Sequence, residues 1–238
     1  MPFVIQFAIG PYRWMIKLCA GLSAIFITYV IILTGSRLGV IGCLLSFMLS
    51  LLAWAVVRWR TTPNSILAPA ITLAYPALFL ATVVLTYVSH TLRGLVWGNG
   101  PQDASNQGRA DQIHMGLPMI WHHPWGYGIS MGARTLGYFG SGEELTIDND
   151  YLRIALEYGV VGFVMYYGMF IIAIGYVVYA LVKVGVSKSG RDFRFLVPLA
   201  ISIAIFFVIK SVLSQQEVDP LVFIMMGMIA ALVRRARA

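Results

Sequence analysis

The sequence predicts an all-α, polytopic membrane protein with about six transmembrane helices and one large polar loop. Three observations support this fold class. The 238 residues are 59% hydrophobic and only 11% charged, with a mean hydropathy of +0.79, whereas soluble domains carry about 25% charged residues. The missing charges leave several charge-free runs close to the length that crosses a bilayer. Between two of these runs lies a polar stretch, and three of the four histidines fall within its residues 108–162.

Six apolar segments account for the predicted spans. A helix rises about 1.5 Å per residue, so about 20 residues cross the roughly 30 Å hydrocarbon core of a bilayer. The fourth span is expected to extend back to Tyr151 by an amphipathic turn or two, and Pro69 and Pro76 are expected to bend the third. The sixth has only 13 residues, fewer than the usual minimum of about 17. The predicted spans are residues 14–33, 38–57, 66–89, 160–182, 195–214 and 221–233.

Basic residues are distributed unevenly between the two sides of these spans. Five arginines fall on one side, and Lys210 lies within a span. The other side carries eleven: Arg13, Lys17, Arg58, Arg60, Lys183, Lys188, Arg191, Arg194, Arg234, Arg235 and Arg237. Because basic residues collect on cytoplasmic loops, we expect both termini in the cytoplasm and the polar loop, residues 90–149, on the periplasmic face. The same rule explains the net charge of +7 without a nucleic-acid partner. We treat residues 1–238 as one membrane domain that includes this loop.

Two arginines are candidates for binding a phosphate group. Arg37 follows Ser36 between the first two predicted spans, and Arg109 opens a segment expected to form a short amphipathic helix against the membrane. A guanidinium group stays charged at neutral pH, and its planar donors match pairs of phosphate oxygens. The alternative is structural, because Arg37 could extend to the membrane interface and Arg109 could pair with Asp111. Arg134 is a further candidate for substrate binding, although nothing around it is distinctive.

Residues 122–128, His-His-Pro-Trp-Gly-Tyr-Gly, predict a tight turn. Pro124 restricts His123 to an extended conformation, and Gly126 and Gly128 permit sharp bends or the close approach of a ligand. A structural turn is the commoner meaning of such a segment, and His123 is also a candidate for substrate binding. Adjacent histidines point in different directions and make a poor metal site. The sequence has no zinc-type spacing, phosphate-binding loop or dinucleotide-binding turn, so we expect no metal and no cofactor.

Asp148 and Asn149 precede a segment with a helical pattern. Both residue types are preferred helix N-caps, and carboxylates are favoured near the positive end of a helix, so a capping role explains them without chemistry. The functional hypothesis is that Asp148 accepts a proton from a sugar hydroxyl while Asn149 orients that sugar. Asp148 can do this only if one carboxylate oxygen is not used for capping. In the same helix, Gly159 and Gly162 are expected to form a thin face for close helix packing.

The order and spacing of these residues resemble the O-antigen ligase and O-antigen polymerase-like family of bacterial membrane proteins. The chain resembles the C-terminal half of the family's longer members. The matching features are Ser36-Arg37 at the end of a span, Arg109 at the start of a loop helix, His123-Pro124 followed by Gly126 and Gly128, and Asp148-Asn149 followed after nine residues by Gly159-Val160-Val161-Gly162.

The resemblance implies a helical protein of the bacterial inner membrane that works without a nucleotide, a cofactor or a required metal. It implies transfer of a glycan from an undecaprenyl-pyrophosphate carrier to a glycan or lipid-linked acceptor, with the membrane lipid around it. Arg37 and Arg109 would bind the pyrophosphate leaving group and neutralise its developing charge. Asp148 would act as the base, with Asn149, His123 and Arg134 contacting substrate.

Two departures from the family pattern leave alternatives open. Ligases of the family usually have His where this chain has Asp148, which favours the polymerase or exopolysaccharide members over ligases that use a lipopolysaccharide core acceptor. The chain also resembles only half of a typical member, so it could need an N-terminal half or a partner subunit, or be an inactive truncated half. The non-enzymatic alternative is a membrane transport or assembly subunit. Lys17 stands at the start of the first predicted span, so only Lys210 qualifies as a charged residue that such a subunit could use within a span.

Overall fold

The structure, a computed structural model, describes residues 1–34, 36–61, 66–89, 93, 103–139, 145–183, 193–210 and 219–237. These residues are helical apart from turns and a single antiparallel bridge between Phe139 and Leu145. The all-α prediction is therefore confirmed. The described helices are α1 (Pro2–Ile9), α2 (Trp14–Leu33), α3 (Arg37–Thr61), α4 (Leu67–Val88), α5 (Asp103–His122), α6 (Gly132–Leu136), α7 (Asp150–Lys183), α8 (Phe193–Lys210) and α9 (Asp219–Arg237).

Four of the described helices contain segments long and apolar enough to cross a membrane. These segments are Trp14–Leu33, Leu38–Trp59, Leu67–Val88 and Asp150–Ala180, and they agree closely with the first four predicted spans. The apolar part of α8, Phe195–Lys210, is shorter, and residues 211–214 of the fifth predicted span lie outside the described residues. The sixth predicted span falls within α9, which also carries Asp219 and three arginines. The predicted count of six spans is therefore not confirmed.

The chain divides into two compact units, which are described separately. The first comprises Met1–Gly98, Ala173–Ile205 and Phe223–Ala238. Within it, α1 packs on α2 and α3, α2 packs on α3, and α3 packs on α4. Most of the large apolar side chains of α2 and α4 are exposed. Such surfaces are favourable in contact with lipid, where a helix satisfies its backbone hydrogen bonds internally.

The second unit comprises Asn99–Ile172 and Phe206–Val222 and contains residues 103–139 and 145–149 of the polar loop. The loop has a small core of its own, in which Leu136 and Ile147 pack against Leu152 and Leu156 from the start of α7. Burying a side chain of this size contributes about 1.5–3 kcal/mol. Around this core lie Met119, Ile120, Tyr127, Ala133 and Tyr138. The loop is thus a folded layer held against the first turns of α7.

Helix α7 is interrupted at Gly159, whose φ of 71° and ψ of −176° are not helical. This conformation is accessible essentially only to glycine. The interruption frees backbone groups that the turn at 123–128 then satisfies. The Leu156 and Glu157 carbonyls accept N–H groups of Tyr127 and Gly128 at 2.8 and 3.0 Å, and the Val160 N–H donates to the Pro124 carbonyl at 2.9 Å.

The expectation that Gly159 and Gly162 form a helix-packing face is wrong. A Cβ atom built on Gly159 would collide with the Pro124 carbonyl oxygen and lie 2.5 Å from the Trp125 carbonyl carbon. Gly159 therefore admits the backbone of the loop rather than another helix. A Cβ atom on Gly162 would meet the side chain of Tyr158 in its own helix.

Candidate functional site

The N-cap of α7 is Asn149, not Asp148. The Asn149 Oδ1 atom accepts the N–H groups of Tyr151 at 2.9 Å and Leu152 at 3.3 Å, which are among the donors left unpaired at the start of a helix. The half-buried Asp148 carboxylate instead accepts the Thr146 hydroxyl at a long 3.4 Å. The condition for chemistry at Asp148 is therefore met, because capping does not use its carboxylate.

The dual role predicted for Asn149 can be separated by two substitutions. Asn149→Ala removes the cap, and we expect it to lower stability by about 1 kcal/mol. Asn149→Asp keeps a capping oxygen but removes the NH₂ group. That group is the hydrogen-bond donor that Asn149 could offer to a sugar oxygen. We therefore expect Asn149→Asp to unfold like the wild type in detergent while losing glycan transfer. Wild-type activity in Asn149→Asp would limit Asn149 to capping.

Helix α5, which carries Arg109, contacts the backbone of Asp148. The Oε1 atom of Gln112 accepts the Asp148 backbone N–H at 3.0 Å. Four residues later, Gly116 allows close packing, since a Cβ atom there would lie 2.7 Å from Leu152 Cδ1. Residues three or four apart share one face of a helix, so the half-buried Arg109 lies one turn from Gln112 on the face that meets the start of α7.

His123 lies away from this group. It follows Arg109 by 14 residues, about 20 Å along a helix that rises 1.5 Å per residue. Its backbone N–H donates to the Met119 carbonyl at 3.0 Å, and its carbonyl accepts the Gly126 N–H at 3.0 Å. Its exposed ring packs against Tyr127 with the ring centres 4.6 Å apart. The predicted turn is confirmed, and substrate binding by His123 stays a prediction.

The remaining predicted site residues occupy separate positions. Arg134 lies on the short helix α6 and is exposed. Arg37 is the first residue of α3 in the first unit, and its side chain lies outside the described part of the structure. Among the described residues, no three His, Cys, Asp or Glu side chains are placed to hold a metal ion. The geometry thus links α5, the helix that carries Arg109, to the Asp148 backbone through Gln112, while Asn149 caps α7.

A buried ion cluster lies directly beyond Asn149, within the second unit. It consists of Asp150, Arg153, Glu157, Lys210 and Asp219. All but Asp219 are less than 9% exposed as whole residues. Asp150 Oδ1 accepts the Arg153 Nε–H at 2.9 Å, and Asp150 Oδ2 lies 3.7 Å from Lys210 Nζ. Lys210 Nζ also lies 2.7 Å from Asp219 Oδ1, and Arg153 Nη1 lies 3.4 Å from Glu157 Oε2.

Two tyrosines of α7 complete the cluster. The Tyr167 hydroxyl donates to Asp150 Oδ2 at 2.9 Å, and the Tyr166 hydroxyl donates to Asp219 Oδ2 at 3.4 Å. The cluster therefore ties the start of α7 to the last residue of α8 and the first residue of α9. Burying charges is costly unless they are paired and hydrogen-bonded, and here each charge has an opposite partner.

Sequence reasoning did not find this cluster, nor the contact of Gln112 with Asp148. The 150, 153 and 157 spacing of Asp, Arg and Glu was a usable signal, because opposite charges three or four residues apart pair along a helix. Lys210 is a charged residue near the end of a predicted span, which signals a buried partner. No local pattern indicates Gln112, because its partner lies 36 residues away in the sequence.

These features define a helical membrane protein whose polar loop folds onto the start of a long, apolar, interrupted helix. The chain belongs to the O-antigen ligase family, whose family model matches residues 22–167. No curated protein sequence and no solved structure matches the chain. Family membership implies ligase- or polymerase-type glycan transfer with lipid-linked glycan substrates. The matched range contains Arg37, Arg109 and Asp148, whereas Lys210 and Asp219 lie beyond it.

Proposed function

We propose that the protein transfers or polymerises glycan units from an undecaprenyl-pyrophosphate-linked donor to an acceptor sugar on the periplasmic face of the inner membrane. Family membership supports the type of reaction. The observation that carries the site assignment is the Gln112 hydrogen bond to the Asp148 backbone. It places the helix of Arg109 against the segment that carries an acidic side chain not used for capping. A cation for the leaving group and a base for the acceptor are the two groups this transfer needs.

In the proposed reaction, a hydroxyl oxygen of the acceptor sugar attacks the anomeric carbon of the donor glycan. Asp148 accepts the proton of that hydroxyl, while Asn149 donates a hydrogen bond from its NH₂ group to the acceptor sugar. The bond between the anomeric carbon and the phosphate oxygen breaks, and its electron pair leaves with undecaprenyl pyrophosphate. Negative charge develops on this group, so Arg109 and Arg37 favour the transition state by binding it. No nucleotide is needed, because the donor arrives already activated.

A lipid-linked glycan extends well beyond the two reacting atoms. Exposed His123 and Arg134 are therefore proposed contacts along the donor or acceptor chain rather than at the pyrophosphate. An acidic base in place of the histidine usual in ligases favours a polymerase that extends the glycan over a ligase that caps a lipopolysaccharide core. The excess of basic residues on one side supports cytoplasmic termini, so the loop would meet its substrates in the periplasm.

The experiment compares surface glycan in a deletion strain that expresses each variant at its natural level. Arg109→Ala and Asp148→Asn are expected to abolish or strongly reduce the polymer while the protein stays in the membrane. Asp111→Asn, an exposed acid on α5, and Arg234→Ala, an exposed arginine of α9, serve as matched controls with normal polymer. Glycan length is read on gels, and protein level is read by immunoblot of the membranes.

The intermediates on the carrier lipid identify the reaction. Accumulated single repeat units indicate a polymerase, and accumulated long chains indicate a ligase. Normal glycan length and amount in both Arg109→Ala and Asp148→Asn would refute the proposed site.

A further inference from the structure

Gln112 is fully buried, and only the oxygen of its carboxamide group makes a hydrogen bond within the described part of the chain. Its exposed fraction is 0%. The Oε1 atom accepts the Asp148 backbone N–H at 3.0 Å, whereas Nε2 has no hydrogen-bond partner among the residues that the structure describes. Buried amide groups are normally paired at both ends, because an unpaired donor loses its hydrogen bonds to water without replacement. The unpaired Nε2 donor is therefore a cost to stability that an apolar side chain of this size would not carry.

The hydrogen bond that Gln112 makes is to the backbone of Asp148, the candidate base. Asp148 is the residue before the Asn149 cap, and its N–H points to α5 rather than into α7. Two side-chain hydrogen bonds meet at this segment, since the Asn149 side chain joins it to α7 and Gln112 joins it to α5. The neighbouring Ile147 packs in the loop core, and Gln112 supplies the hydrogen bond between the Asp148 backbone and α5.

We propose that Gln112 is a positioning residue that holds the Asp148 backbone against α5 and thereby sets the base at a fixed place relative to Arg109. This inference rests on the proposed function of Asp148. Gln112 acts through Asp148 and does not touch the substrate. A displacement of about 1 Å at a reacting group can lower the rate on the order of 100-fold. Loss of this contact therefore lowers turnover far more than it lowers stability.

Gln112→Leu tests the proposal by separating activity from stability. The substitution removes the acceptor for Asp148 and also removes the unpaired Nε2 donor, so the two effects on stability oppose each other. We expect thermal unfolding in detergent close to that of the wild type and a decrease in turnover of about 10–100-fold. The matched control is Gln107→Leu, an exposed glutamine on the same helix, which is expected to retain wild-type turnover.

Gln112→Glu gives a second readout, which tests whether position 112 lies beside the base. Glutamate keeps an oxygen that accepts the Asp148 N–H, but it adds a negative charge beside the base. A like charge disfavours ionisation of a carboxylate. We therefore expect the acidic limb of the pH–rate profile to move upward by about one pH unit. The assay uses full-length protein in membranes and the lipid-linked glycan extracted from the deletion strain, followed across a pH series.

The outcomes separate this inference from the function on which it rests. Wild-type turnover in Asp148→Asn overturns the proposed function. An inactive Asp148→Asn together with wild-type turnover in Gln112→Leu, or equal losses of stability and activity in Gln112→Leu, overturns the role of Gln112. If Gln112→Leu does not accumulate in the membrane, Gln112→Glu decides the question, and an unshifted pH profile in that variant overturns the role.

Discussion

Replacing Lys210 by methionine is expected to destabilise the folded protein by about 3–5 kcal/mol. Lys210 is 1% exposed and lies between two carboxylates, 2.7 Å from Asp219 Oδ1 and 3.7 Å from Asp150 Oδ2. Methionine fills a similar volume but leaves both acids without this cation. Asp150 keeps Arg153 as a partner, so the larger part of the cost should arise at Asp219.

A second substitution tests whether the loss of stability arises at the Asp219 carboxylate. Adding Asp219→Asn to Lys210→Met removes the carboxylate that has lost its nearest cation, and we expect it to recover a large part of the lost stability. Asp219→Asn alone should cost less than Lys210→Met, because the carboxylate side chain of Asp219 is partly exposed, at 17%, and Lys210 keeps Asp150. Unfolding of the purified variants in detergent by SDS titration measures all three.

The single and double variants together give the coupling energy of the Lys210–Asp219 pair. If the double variant is more stable than Lys210→Met, an uncompensated buried charge is the main cause of the lost stability. If the effects of Lys210→Met and Asp219→Asn simply add, the pair is not coupled, and the loss must come from the contact of Lys210 with Asp150 or from the packing of the lysine stem. A Lys210→Met variant with unchanged stability would contradict the cluster as a whole.

The membrane helices were predictable because their signal is local. A charge-free run of about 20 residues indicates a span from composition alone, and the predicted 14–33 coincides with α2. The predicted start of the fourth span at 160 also has a structural counterpart, since α7 breaks at Gly159 and its first nine residues form the expected helical extension. Residues 152–157 of this extension are all buried. Where charges enter the run, as in α9, length and composition no longer decide whether the helix spans.

The details of the site were not predictable because they depend on tertiary contacts. Asp148 and Asn149 are equally good capping residues by type, and the choice between them follows from how the loop approaches α7. The Gln112 contact joins residues 36 positions apart. Lys210 meets Asp150 across 60 positions. The sequence indicates which residues carry chemistry in such cases, but the packing of the loop core decides which of them meet.

Gly159→Ala is expected to cost about 2–6 kcal/mol, which combines two separate effects. The backbone conformation, with φ of 71° and ψ of −176°, is strained for any residue with a Cβ atom, by about 1–3 kcal/mol. The added methyl group would also meet the backbone of the turn, which adds about 1–3 kcal/mol of overpacking. Gly126 faces Gly159 in this contact: its φ is 86°, and a Cβ atom there would lie 2.5 Å from the Glu157 carbonyl oxygen. Gly126→Ala should therefore show a loss of similar size.

Gly168→Ala is the matched control, because Gly168 lies in the same helix and a Cβ atom there would meet no atom within 4 Å. Alanine is favoured over glycine inside a helix by about 0.5–1 kcal/mol, so this variant should be neutral or slightly more stable. Hydrogen exchange distinguishes loss of docking from general unfolding. If the turn detaches from the interrupted helix, the amides of Tyr127, Gly128 and Val160 should exchange faster in Gly159→Ala, while those beyond Gly168 stay protected. Unchanged exchange at these three amides, with stability like that of Gly168→Ala, would show that the turn does not depend on this glycine pair.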